Sequence, residues 1–194
     1  MIFELMRLLN FSVVRNFPRH STRFAKKYFK GKGIIAVEIG TDKGINAENI
    51  LENLNVKKLY IIDPYESYPE YNEKDKTVKY LSKAEKEARK RLSKYSKKIV
   101  WVKKYSEDAI KYIPNKVDFI YIEGNHSYNY AKRDMKNYYP KLTKKGIFAG
   151  HDITNPFDSW GVAKAFVEFC SEKKLRPMIS RTDWFVVKNG KSKS

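Results

Sequence analysis

From Ile34 onward the chain alternates, five times over, between a short apolar run ending in turn chemistry and a stretch of helical periodicity. The runs are Ile34-Ile-Ala-Val-Glu38, Lys58-Leu-Tyr-Ile-Ile-Asp63, Ile99-Val-Trp-Val102, Asp118-Phe-Ile-Tyr-Ile122 and Gly146-Ile-Phe-Ala149. Runs this short and this continuously apolar read as strands buried on both faces. Helices are expected over 47–54, 82–97 (where Ser82 and Glu85 form a capping box), 106–112, 128–139 and 162–173. Alternating strands and helices imply a mostly parallel sheet covered by helices on both faces, an α/β fold. Pro177 to Ser180 and Trp184 to Val187 have no helix between them and read as a closing β-hairpin.

In open α/β sheets ligands sit outside the carboxyl ends of the strands, so those ends carry the functional information. Phe119 to Ile122 delivers Glu123 and His126 onto a Gly-containing turn, and Gly146 to Ala149 delivers His151 and Asp152. Two of the three histidines and two carboxylates therefore meet at what reads as one crevice, the composition of a reaction centre. His20, in a basic stretch, reads as a solvated residue.

The first strand ends in Glu38-Ile-Gly40-Thr41-Asp-Lys-Gly44, whose glycines permit a sharp turn and a close backbone approach to a ligand. It is not the dinucleotide Gly-x-Gly-x-x-Gly pattern and suits a ligand without phosphates. Asp63 closes the next strand, where an acidic side chain can accept the hydroxyls of a ribose.

Taken in order, Glu38–Gly44, Asp63, Ser106, Asp118–Tyr128 and Lys144–Asp152 resemble class I S-adenosylmethionine-dependent methyltransferases, in the branch of small O-methyltransferases acting on macrolide and aminocoumarin sugars. The resemblance spans roughly residues 34–187 and implies a Rossmann-like, seven-stranded sheet whose last strand is antiparallel. It implies S-adenosyl-L-methionine held by Glu38, Gly40, Thr41, Gly44, Asp63, Tyr105, Ser106 and Glu123, with Gly40 and Gly44 at the methionine moiety, Asp63 on the ribose and Tyr105-Ser106 at the adenine. It further implies His126 as the base, assisted by Asp152, and Mg²⁺ (or Mn²⁺) held at Glu123, His151 and Asp152. The chain departs from the branch in having Glu for Asp at 123 and His for an acidic residue at 151; imidazole is an unusual ligand for Mg²⁺. The expected reaction is methyl transfer to a hydroxyl of a small acceptor, a sugar or glycan being favoured.

Charge keeps a second function open. The net charge of +18 is concentrated in residues 1–33, with eight Lys/Arg against Glu4, and residues 71–104, with thirteen against four acids. Such segments suit nucleic acid or anionic lipid, so a tRNA or rRNA methyltransferase is the first alternative. Against it, 31 Lys with only nine Arg is a poor composition for bidentate base reading. A cofactor-binding module without turnover is the second alternative, motivated by Glu123 and His151.

Residues 1–33 are read as a basic amphipathic extension whose segment 1–14 packs on the sheet, forms a dimer contact or lies on a membrane surface through residues 1–30. Residues 34–187 are read as the methyltransferase domain, with 64–98 a lid loop and basic helix, and 188–194 as a tail. In the lid, Tyr65, Tyr68, Tyr71 and Tyr80 are candidates to stack on the acceptor, and Asn155–Trp160 is a candidate opposite wall. Lone Cys170 reads as a buried hydrophobe. With no signal-peptide pattern at the N-terminus, the expectation is a cytoplasmic protein, with peripheral membrane contact and homo-oligomerisation left open.

Overall fold

A computed structural model of the chain describes residues 18–67, 77–154 and 160–189. Helix α1 (His20–Phe29) precedes β1 (Ile34–Ile39), and α2 (Ile45–Asn53) leads to β2 (Val56–Ile62). Helix α3 (Val78–Arg91) and a 3-10 segment (Ser93–Lys98) lead to β3 (Ile99–Val102). A short α4 (Ser106–Ala109) precedes β4 (Val117–Ile122), and α5 (Tyr128–Tyr138) precedes β5 (Leu142–Gly150). Helix α6 (Gly161–Lys173) is followed by β6 (Met178–Ser180) and β7 (Asp183–Val187).

The seven strands form one sheet in the order β3-β2-β1-β4-β5-β7-β6. β1 to β5 pair in parallel, and β7 is antiparallel to both β5 and β6. This is the expected Rossmann-like architecture, C-terminal hairpin included. Successive strand residues face opposite layers, as a period of two requires. Val37, Ile120 and Phe148 enter one core with Phe166, Phe169 and Trp184. Ala36, Phe119 and Ile147 enter the other with Ile50, Leu59 and Phe185. Each large side chain buried in these layers contributes about 1.5–3 kcal/mol. The chain leaves β1 toward β2 on one side and reaches β4 on the other, so the crevice of a doubly wound sheet opens between β1 and β4.

Two local expectations are corrected. Helix α3 starts at Val78, not Ser82, because the hydroxyl of Thr77 accepts from Tyr80 N (3.2 Å) and caps it five residues before the expected cap. Glu85, expected to close a capping box, instead pairs with Arg89 and Lys103 (2.9 and 2.7 Å). His20 is not simply solvated: it is half-buried, with Ser180 Oγ 2.7 Å from its Nδ1.

Residues 1–14, and with them the amphipathic segment, lie outside the described residues. Helix α1 packs on the domain: Ala25 is fully buried and Phe24 packs against Phe185, the rings tilted by 39° with centroids 4.9 Å apart. Cys170 is buried, and burial pushes its thiol up to about 11, as suits an inert side chain. Among the described residues no helix is long and apolar enough to cross a membrane.

Candidate active site

The turn after β1 is built around Gly40 (φ +80°), where any Cβ would sit 2.3 Å from the Glu123 carbonyl oxygen. The absent side chain thus lets the ends of β1 and β4 close on each other, with Glu123 N donating to Ile39 O at 2.7 Å. Gly44 (φ +74°) serves packing: a Cβ there would meet Leu92 and Ala88, 3.1 and 3.2 Å away. It starts α2 and seats α3 against it.

Glu38 holds the same turn from beneath. Its carboxyl, 1% exposed, accepts from Thr41 Oγ1 (2.6 Å) and Asn46 Nδ2 (2.8 Å). Burial raises its pKa to about 8 even though these hydrogen bonds pull it down. Asp63 fastens the turn from the side: Oδ2 accepts from the backbone N–H of Thr41 and Asp42 (2.9 and 3.0 Å), and Oδ1 from that of Tyr65 (2.8 Å).

Beside the turn lies a cavity open to solvent. Ile39, Ile62, Pro64 and Leu81 give it apolar walls, and Gly40, Asp63, Ser106, Glu123 and Asn125 supply polar groups. Apolar walls with a few placed polar groups are the lining of a small-molecule site. Of the residues expected to bind a cofactor, Gly40, Asp63, Ser106 and Glu123 line this cavity, and Glu38, Thr41, Gly44 and Tyr105 do not. Glu38 and Gly44 shape the turn instead, and Thr41 faces the neighbouring cavity. Tyr105 caps α4, and its hydroxyl donates to Ser67 O at 3.2 Å. Ser106 Oγ donates to the buried Asp134 (2.5 Å), whose carboxyl burial pushes up to about 7.

A second cavity, about 830 Å³, shares Gly40, Asp42 and Glu123 with the first and adds Arg19, Thr41, Lys43, Ile45, Asn46, His126 and Asp152. His126 Nε2 lies 3.0 Å from Asp152 Oδ2, and His151 Nδ1 lies 3.1 Å from the same oxygen. Burial pushes the Asp152 carboxyl up, but hydrogen bonds from the two imidazoles outweigh it and hold the group well below the ordinary carboxylate range. His151 lines neither cavity; its backbone carbonyl accepts from Trp184 Nε1 (3.1 Å), and its ring meets the Asp152 carboxylate no closer than 3.1 Å, with Glu123 Oε1 3.8 Å from Nδ1. The four residues expected at one crevice are therefore together, with unequal parts.

The three residues expected to hold a metal lie together, His151 Nδ1 being 3.8 Å from Glu123 Oε1 and 3.1 Å from Asp152 Oδ2, and each has a protein partner. Glu123 Oε1 receives Arg19 Nη2 at 2.6 Å, and the Asp152 oxygen nearest the histidines is shared between them. Among the described residues no group of three or more His, Cys, Asp or Glu is placed to hold a metal ion. This arrangement of Glu123, His151 and Asp152 does not fit a divalent cation, because the Arg19 guanidinium already holds the Glu123 carboxylate.

Arg19 and Asn125 went unassigned from sequence. Arg19 lies in a basic run with no local mark of its destination. Asn125 carries a readable sign, an Asx turn: its Oδ1 accepts from Ser127 N at 3.0 Å. The aromatic lid is also rearranged. The Tyr65 and Tyr80 hydroxyls donate to the carbonyl and the carboxylate of Asp42 (3.0 and 2.9 Å), bracing the turn and not standing as acceptor platforms. Tyr68, Tyr71 and residues 155–159 lie outside the described residues; Trp160 is half exposed.

A family model described as a methyltransferase domain matches residues 37–153. The chain is 28% identical over 130 residues, 64% of its length, to an uncharacterized protein of Acanthamoeba polyphaga mimivirus, and the match spans only about half (53%) of that relative. Among solved structures it is similar to the O-methyltransferase NovP (TM-score 0.65, 16% identity, 87% of this chain and 78% of that one). It is also similar to an rRNA methylase from Streptococcus thermophilus (TM-score 0.60, 12% identity, 90% and 99%). A third similar structure is the MycE methyltransferase of mycinamycin biosynthesis, in complex with Mg, SAH and mycinamycin VI (TM-score 0.60, 12% identity, 98% and 55%). At these identities the structural likenesses establish the fold.

Proposed function

The chain belongs to the methyltransferase-domain family, and on that premise we propose that it is an S-adenosylmethionine-dependent O-methyltransferase acting on a small hydroxylated acceptor, a sugar or glycan residue being favoured. The observation that carries this reading is the shared wall: the two cavities meet at Gly40, Asp42 and Glu123, with the His126–Asp152 pair on the second. A donor in the first cavity and an acceptor in the second would face each other across that wall.

S-Adenosylmethionine, when bound, supplies an electrophilic methyl group on a sulfonium. The residues of the chain do the rest. Asp63 and Ser106 hold the nucleoside, and the apolar walls exclude water from its faces. Asp152, kept ionised by its two imidazole partners, accepts a hydrogen bond from His126 Nε2–H, which holds the proton on that nitrogen and leaves Nδ1 with the lone pair. His126 takes the hydroxyl proton as the acceptor oxygen forms its bond to carbon, and the leaving thioether is neutral. General-base assistance of this kind contributes roughly 10²–10⁴-fold.

The sugar preference is supported by NovP and MycE being named as methyltransferases, MycE in complex with mycinamycin VI. One observation favours the nucleic-acid reading: Lys79, Lys83, Lys86, Arg89 and Lys90 lie on α3, whose Leu81 lines the first cavity. Assay of methyl transfer to panels of hydroxylated glycans and of tRNA and rRNA separates them. Transfer to glycans without polyanion binding supports the proposal. Transfer to RNA, with an affinity falling steeply as salt rises, overturns it.

A further inference from the structure

Helix α1 has two unlike sides. Ser21, Thr22 and Ala25 are buried against the domain, while Arg23, Lys26, Lys27 and Lys30 are exposed. The spacing 23, 26, 27 and 30 is that of one stripe along a helix, opposite the buried side. No Asp or Glu occurs on α1, and among the described residues none of the four cations makes an ion pair. Exposed Arg181 adds a cation beside the start of the helix. It lies between Ser180, whose Oγ is 2.7 Å from His20 Nδ1, and Asp183, which receives Ser21.

The other basic helix differs. On α3, Lys83, Arg89 and Arg91 face Glu87, Glu85 and Glu48 at 3.9, 2.9 and 2.9 Å, so much of its charge is balanced within the domain. The charges of α1 have no such balance. Like charges so close on a helix repel one another, and an anionic partner relieves that repulsion.

Two features say which anionic partner. Exposed Tyr28 flanks the stripe, and its amphipathic ring suits the level of lipid headgroups. The sequence before α1 brings Phe3, Leu5, Leu8, Leu9 and Phe11 together with Arg7 and Arg15. Apolar side chains among cations are the composition of a chain that lies in the interface of an anionic bilayer. A nucleic-acid backbone draws on the cations alone and gives the aliphatic side chains nothing to bury against.

We propose that α1 is a membrane-docking surface, its basic stripe resting on the anionic headgroups of a lipid bilayer with Tyr28 at their level. Arg19, the residue before α1, lines the second cavity. The docked helix, about 15 Å long, therefore holds that cavity within its own length of the lipid surface. The docking is independent of which acceptor is methylated.

The test is sedimentation of the full chain with vesicles of phosphatidylcholine, with and without phosphatidylglycerol. The wild type is expected to bind the phosphatidylglycerol vesicles, and to bind those of phosphatidylcholine alone about 10-fold or more weakly. Each Lys or Arg near an anionic surface strengthens attachment roughly 5-fold, so Arg23→Gln/Lys26→Gln/Lys27→Gln/Lys30→Gln is expected to bind the anionic vesicles about 100-fold or more weakly. Lys79→Gln/Lys83→Gln/Lys86→Gln/Lys90→Gln removes the same charge from α3 and is expected to stay within about 3-fold of wild type. All eight side chains are exposed, so neither variant removes a packed group. A wild type that ignores the anionic vesicles, or binds both kinds equally, overturns the proposal. So does an α1 variant that binds like wild type, or an equal loss in the two variants. Binding of the wild type to tRNA that the α1 variant loses, with no binding to vesicles, assigns the stripe to nucleic acid and overturns it as well.

Discussion

Arg19 Nη2 and Glu123 Oε1, 104 residues apart in the chain, are joined at 2.6 Å, and both side chains are largely buried. The pair places a cation from the segment before α1 against the carboxylate at the end of β4. Burial raises the pKa of Glu123, and the charge of Arg19 works against that rise. Removing the guanidinium leaves a buried carboxylate without its counter-ion.

Arg19→Ala is therefore expected to lower stability by about 1–3 kcal/mol. Arg19→Ala/Glu123→Ala should recover part of the loss, since neither charge is then stranded. Urea denaturation of the two singles and the double gives the coupling energy. Strictly additive losses would show that the pair contributes nothing to the fold.

The same pair bears on metal dependence. With Glu123 held by Arg19, transfer activity is expected to be unchanged by EDTA and by added Mg²⁺ or Mn²⁺. Loss of activity in EDTA with restoration by Mg²⁺ would return Glu123, His151 and Asp152 to the role of ligands.

His126→Ala is expected to slow methyl transfer roughly 100-fold or more while leaving S-adenosylhomocysteine affinity intact, because His126 lines only the second cavity. Asp152→Asn should act in the same direction, by releasing the proton position on Nε2. Single-turnover rates and calorimetry read the two quantities separately. A transfer rate equal to wild type in His126→Ala removes it as the base.

Asp63→Ala should do two things at once. It removes acceptors from three backbone N–H groups and a polar group from the first cavity. S-Adenosylhomocysteine affinity is expected to fall about 10-fold or more and stability by about 1–3 kcal/mol. A stability loss with wild-type affinity would leave Asp63 as a fastening of the turn and no more.

Stability should fall as pH rises. Glu38, at about 8, and Asp134, at about 7, are raised by burial, so the fold keeps protons that an unfolded chain sheds near the ordinary carboxylate range. Their contribution is fully present below about pH 4, declines as pH rises, and is gone above about 8. Each group adds a slope approaching about 1.4 kcal/mol per pH unit within its window. Melting temperatures from pH 5 to 9 should flatten in Glu38→Gln and in Asp134→Asn. Parallel curves for wild type and both variants would contradict these raised values.

The sheet was legible because strand burial writes itself as apolar runs, and the strand ends because turn residues follow them. Glu123, His126, His151 and Asp152 could be grouped on that basis alone. What period and spacing do not carry is which partner a polar group finds. Glu38 and Gly44 match a ligand-binding pattern yet support the turn, since only packing against Thr41, Asn46 and Ala88 reveals the direction they face. The start of α3 was misplaced because Thr77 and Ser82 are equally good caps in isolation, and tertiary pairing of Glu85 with Lys103 decides between them. Arg19 could not be read at all, because its contact with Glu123 is set by how α1 docks.

That docking has its own anchor. Ser21 N and Oγ both donate to Asp183 Oδ2 (2.9 and 2.6 Å), 162 residues later, and Tyr121 donates to the other oxygen of the same carboxylate. Ser21 leaves the ribosome long before Asp183 is made, so the helix that follows Arg19 gains this anchor only once the last strand of the chain exists.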